Sequence, residues 1–215
     1  MKRFIAIVMA AMLILSFSGC SIVKDFKEGF AEGFEDGLKS TIQQSGKGYT
    51  HGVVEGNVYT SEMTGLTFTA PDGWSFRTDE ELMELMDGVY DEEVEDAFTN
   101  AAAKMNTVTE MMAIDDNSGT NVIIVYENLL LTGNSGISEE EYFELAKTYG
   151  SFEGLAIFDE LESVTLSGKD CKYVQINNEG ITQYYYMMAL EDYMCIIVAT
   201  NAGDTTRSEI ESMFG

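Results

Sequence analysis

Basic residues are scarce in this chain: 12 Lys and Arg stand against 37 Asp and Glu over 215 residues, a formal charge of −25 at pH 7. They nowhere cluster into a patch the size of a nucleic-acid groove, so the electrostatic footprint for a phosphate backbone is missing and no nucleic-acid partner is expected. Histidine is scarcer still. The one histidine, His51, falls in a flexible approach to the folded part, with no second His or Cys at ligand spacing. That spacing supports neither a zinc site nor a Ser-His or Cys-His nucleophile pair. Neither a phosphate-cradling glycine loop nor a nucleophile elbow occurs. Proline appears once, and with 45% hydrophobic and 23% charged residues the composition is globular rather than disordered. The sequence therefore assigns no catalytic residue, no cofactor and no resident metal, and it reads as a non-enzyme.

No hydrophobic run is long enough to span a bilayer. The longest, Phe4 to Leu15, holds twelve apolar residues, against about 20 for a transmembrane helix. It follows Met1-Lys2-Arg3 and precedes Ser16-Phe17-Ser18-Gly19-Cys20, which is the layout of a secretory signal. The end of this segment resembles the bacterial lipobox, with Phe17 where that motif usually has Leu, and the resemblance makes Cys20 the site of lipid attachment. Residues 1–19 are then a cleaved lipoprotein signal peptide. The mature protein is expected on the extracytoplasmic face of the cell membrane, where two or more acyl chains give stable anchoring at about 0.8 kcal/mol per buried methylene.

Residues 20–48 read as lipid anchor, amphipathic juxtamembrane helix and flexible linker. Phe26, Phe30, Phe34 and Leu38 form one stripe at helical spacing, with Gly29, Gly33 and Gly37 beside it. The glycines cost about 1 kcal/mol each relative to alanine, so this helix needs a surface to lie on. Lipid and protein both qualify.

From residue 49 to residue 215 the pattern is that of one domain. Strands are expected at Asn57 to Met63, Leu66 to Ala70, Trp74 to Phe76, Val108 to Ile114 and Asn121 to Glu127, and then at Phe158 to Leu166, Lys169 to Ile176, Ile181 to Leu190 and Tyr193 to Thr200. Capping boxes at Thr78-Asp79-Glu80-Glu81 and Ser138-Glu139-Glu140-Glu141 open helices, another helical stretch runs near Glu92 to Lys104, and Asp204 to Met213 closes the chain. Asp115-Asp116-Asn117-Ser118-Gly119 is a hairpin turn; Tyr126 stands where a calcium loop needs its final glutamate. The class is α+β, an antiparallel β-sheet flanked by helices. Cys171 and Cys195 fall on the first and third strands of an antiparallel meander. Two strand spacings put them about 9.5 Å apart, beyond the 7 Å limit for a disulfide, so two buried free thiols are expected. The tyrosines of that meander and the methionines are expected mainly as core.

Val58-Tyr59, followed by Gly65-Leu66-Thr67-Phe68-Thr69-Ala70-Pro71-Asp72-Gly73-Trp74-Ser75-Phe76, resembles the opening strand pair of PsbP/Mog1-like domains. The Asp79 helix start, the Asn121-Val122 strand and the final strand-helix pair continue the resemblance, which is closest to uncharacterised bacterial lipoproteins carrying this domain. It implies an α/β/α sandwich that docks onto larger assemblies and brings no catalytic residues.

From Asp79 to Asp96, ten of eighteen residues are acidic and none is basic. Like charges four apart cost a few tenths of a kcal/mol each on a helix, so Asp91, Glu92, Glu95 and Asp96 are the candidate surface for a basic protein partner, a cell-wall component or a divalent cation. The expected function is a membrane-anchored envelope lipoprotein acting as a binding or accessory module. The alternative is an envelope ligand-binding or hydrolytic protein using surface carboxylates.

Overall fold

A computed structural model describes residues 49–82, 107–148, 156–178 and 181–215. The signal segment, Cys20, the Phe26 stripe, the stretch near Glu92 to Lys104 and the candidate residues Asp91, Glu92, Glu95 and Asp96 lie outside the described residues.

Among the described residues, ten strands form two antiparallel sheets. β1 (Val53–Glu55), β2 (Val58–Thr60) and β3 (Thr67–Thr69) make a small one in that order. The large sheet has seven: β4 (Trp74–Phe76), β5 (Thr107–Asp115), β6 (Asn121–Asn128), β7 (Ala156–Leu166), β8 (Lys169–Asn178), β9 (Ile181–Ala189) and β10 (Tyr193–Asn201), in the order β4-β5-β6-β10-β9-β8-β7. Tight turns set this register. Between β7 and β8, Ser167 and Gly168 both take positive φ, 49° and 71°, the two left-handed positions of a type I′ hairpin whose twist matches its strands. Three helices are bounded within the described residues: α1 (Leu129–Thr132), α2 (Glu139–Thr148) and α3 (Arg207–Ser212). A further helical turn begins at residue 79, where Thr78 and Glu81 exchange capping bonds. Ser138 and Glu141 do the same for α2, and Thr206 and Glu209 for α3.

Both faces of the large sheet are covered, so its central strands are apolar on both sides. On β10, Met194, Ile196 and Val198 join Tyr142, Phe143 and Ala146 of α2, with Leu82 and Leu129, on one face. On the other, Tyr193, Cys195, Ile197 and Ala199 join Tyr59, Leu66, Phe68 and Ala70 of the small sheet and Ile210 of α3. Each fully buried large apolar side chain contributes roughly 1.5–3 kcal/mol. The molecule is therefore mostly antiparallel sheet. The second face, expected under helices, carries the small sheet and the short α3. Residues 57–70 keep strand periodicity but pair among themselves, because Ser61 N–H donates to the Leu66 carbonyl and Gly65 N–H to the Ser61 carbonyl, closing a local loop.

The meander tyrosines are core, as alternation requires: Tyr173, Tyr184, Tyr185, Tyr186 and Tyr193 are all buried. Met111, Met112, Met187 and Met188 are buried beside them. Cys171 and Cys195 are free and buried, with β9 between their strands.

Candidate functional site

One strand of the large sheet is irregular. Thr109 of β5 faces Val125 and Met111 faces Ile124, so Glu110 between them is the extra residue of a β-bulge with no partner on β6. A bulge re-aims the side chain it carries. Here it turns the acid in the middle of the strand toward the small sheet, where the Glu110 side chain is only 2% exposed.

The carboxyl meets the segment by which the chain enters the domain. Its Oε1 accepts from the Gly52 N–H and from the Tyr59 hydroxyl at 3.2 Å. His51 Nδ1 stands 3.3 Å from Oε2, an ion pair when the ring is protonated, and Oε2 has no hydrogen-bond partner among the described residues. Burial pushes the Glu110 carboxyl up to about 7, against the lowering pull of the Gly52 N–H. Burial raises the Tyr59 hydroxyl as well.

Packing fixes the entering segment. The Tyr49 ring meets Tyr126 edge-on at 5.8 Å and the His51 ring at 4.8 Å. Thr50 N–H points to Met63 Sδ at 3.4 Å. Gly52 lies so close to β2 that a Cβ there would stand 2.5 Å from the Thr60 carbonyl oxygen and 2.6 Å from the Tyr59 ring. His51, expected in a flexible approach, is thus held at the domain edge by Tyr49 and Glu110.

Around Glu110 opens a cleft of about 230 Å³, walled by His51, Val54, Tyr59, Phe76 and Met111, with Arg77 and Asp79 also lining it. Arg77 Nη1 lies 3.6 Å from Glu81 Oε1. The lining mixes the apolar Val54, Phe76 and Met111 with Tyr59, His51, Arg77, Asp79 and the Glu110 carboxyl. Such a cleft suits a small group that carries donors, which is the usual composition of a binding pocket. Among the described residues, no three His, Cys, Asp or Glu side chains are placed to hold a metal ion.

The acidic segment is described only at its start. Asp79 and Glu80 are exposed there, and Asp79 reaches the cleft. Sequence reasoning missed Glu110. The available signal was a single charge inside Val108 to Ile114, a run otherwise apolar enough to be covered on both faces, where a charge is unexpected.

No family model and no curated protein matches the chain. Similar solved structures include a protein of Bacteroides thetaiotaomicron VPI-5482, 14% identical with a TM-score of 0.39 over 74% of this chain and 46% of that one. This chain thus spans less than half the length of that protein. Another is the cyanobacterial PsbP (CyanoP) of Synechocystis sp. PCC 6803, 13% identical with a TM-score of 0.40 over 73% of this chain and 87% of that one. At these values the likeness bears on neither activity nor partner.

Proposed function

We propose that the protein is a cell-envelope lipoprotein, held to the membrane through lipid on Cys20, whose residues 49–215 act as a PsbP/Mog1-like binding or accessory module and not as a catalyst. The observation that carries this reading is the Glu110 cleft. It sets a buried carboxyl among apolar and charged side chains at the edge where residues 49–52 meet the domain, an arrangement suited to recognising a small group. The acidic stretch from Asp79 to Asp96 is the proposed contact for a basic protein or cell-wall partner, or a divalent cation.

A second reading, hydrolysis, draws on the Glu110 carboxyl titrating near 7 and on Asp79 lining the same cleft. Glycoside hydrolysis would need the two carboxyls to flank a scissile bond. Binding needs only the one.

The test has two arms in the native envelope. Cys20→Ala is expected to leave an unprocessed precursor or a released protein. Replacing Asp91, Glu92, Glu95 and Asp96 by Asn or Gln is expected to reduce crosslinking to the partner. A Cys20→Ala protein that is still processed and membrane-bound at high salt would remove the anchor. Unchanged crosslinks in the quadruple variant would remove the acidic surface.

A further inference from the structure

We propose that the Glu110 cleft binds a primary ammonium group on a short alkyl stem, as on a lysine side chain or a small amine. The argument starts from what the site leaves unsatisfied. Glu110 lines the cleft, and its Oε2 is buried with no hydrogen-bond donor among the described residues, its one charged neighbour there being His51 Nδ1 at 3.3 Å. A buried acceptor without a donor costs about 1–3 kcal/mol, and a ligand that supplies one recovers it. An ammonium brings three donors and the charge that a buried carboxylate needs beside it.

The rest of the cleft fits the stem. Val54, Phe76 and Met111 offer apolar contact, and the Tyr59 and Phe76 rings can face a cation. The chain's net charge of −25 draws cations toward it. A divalent metal fits less well, since only His51 and Glu110 come together as ligands and no third His, Cys, Asp or Glu joins them among the described residues.

The charged and titratable groups facing Glu110 set the pH dependence. They are His51 before β1, Tyr59 on β2, Arg77 and Asp79 after β4, and Cys195 on β10. Burial pushes the Cys195 thiol up to about 12 and raises the Tyr59 hydroxyl, so both stay neutral near pH 7. As pH falls through about 7, Glu110 gains its proton and loses the charge that attracts an ammonium, so binding weakens in acid.

This inference rests on reading the domain as a binding module, and its readout depends on neither the anchor nor the acidic segment. The experiment titrates n-butylammonium chloride into the full-length chain in detergent micelles and follows the backbone amide resonances of Gly52, Val54 and Glu110, with butan-1-ol as the uncharged control. The expected result is saturable shifts with the amine, none with the alcohol, and affinity about tenfold weaker near pH 6 than near pH 8, because the ionised fraction of Glu110 falls about tenfold. Glu110→Gln keeps acceptors for Gly52 and Tyr59 and should abolish the shifts. If that variant fails to fold, Val54→Lys, at an exposed edge-strand position that tolerates lysine, should weaken amine binding by placing a competing ammonium at the cleft. Equal shifts with butan-1-ol, no shifts with the amine, or shifts produced by calcium or zinc alone would overturn the proposal. Each of those outcomes leaves Cys20-dependent anchoring and partner crosslinking to stand or fall separately.

Discussion

Cys171 and Cys195 occupy the same face of the large sheet with β9 between them, and Met188 of β9 sits directly beside Cys195. Two strand spacings separate the thiols, so no backbone adjustment short of removing a strand would join them. Burial pushes Cys171 up to about 11 and Cys195 up to about 12, which leaves almost no thiolate near neutrality. Without any reductant, the denatured protein should take up two alkyl labels on these residues and the native protein nearly none over the same time. A mass corresponding to one internal disulfide would show that the strand order is wrong.

Glu110 gives stability a pH slope of unusual sign for an acid. Its carboxyl binds a proton more tightly folded than unfolded, about 7 against an ordinary 4.5. The folded state therefore carries the extra proton between these values, and stability falls as pH rises through that window, by roughly 3 kcal/mol if the whole shift is realised. Glu110→Gln, which mimics the protonated form, should remove the slope and be the more stable protein near pH 8. Urea unfolding of both proteins from about pH 4.5 to 8 measures it. Parallel profiles would show that Glu110 titrates as an ordinary surface acid.

Much of the fold was legible because its signals are local. Ser138 with Glu141 and Thr78 with Glu81 announce helix starts, and the turn residues at 115–119 and 167–168 separate strands whose alternation is plain. What was not legible depends on distant neighbours. β1 has only three residues between Gly52 and Gly56, too few to show a period, and it exists because β2 is there to pair with it. α1 follows β6 with no turn residue to mark the change. The α3 start lies at Arg207 and not Asp204, because the Thr206 and Glu209 bonds define the cap. Glu110 looks like a flaw in β5 until the bulge and the Gly52 N–H, 58 residues earlier, give its carboxyl a place.

On the opposite face of the sheet, the Tyr142 hydroxyl donates to Glu127 Oε2 at 2.5 Å, and both side chains are fully buried. This bond ties α2 to β6 inside the core. Burial first, and the neighbouring Glu127 second, hold the Tyr142 hydroxyl well above the usual phenol range. Tyr142→Phe keeps the ring packing and removes one donor from a buried carboxyl, so it should cost roughly 1–3 kcal/mol. An unchanged unfolding midpoint for Tyr142→Phe would mean that Glu127 is satisfied without it.

Gly52 and Gly56 bracket β1, and substituting each should fail for a different reason. Gly56 has φ +65° and open space around its missing Cβ, so Gly56→Ala meets only the left-handed backbone penalty of about 1–2 kcal/mol. Gly52→Ala meets atoms instead: the Thr60 carbonyl oxygen at 2.5 Å and the Tyr59 ring at 2.6 Å. The strand or the ring must move, at a cost of roughly 1–3 kcal/mol, and either movement draws the Gly52 N–H away from Glu110 Oε1. The two variants therefore separate in a second readout. Gly56→Ala should keep the Glu110 pH slope. Gly52→Ala should steepen it, because the N–H that holds the carboxyl down is lost, and it should speed amide exchange across residues 49–55. If Gly52→Ala behaves like Gly56→Ala in both measurements, the entering segment is not pinned to the bulge and the cleft loses its fixed wall.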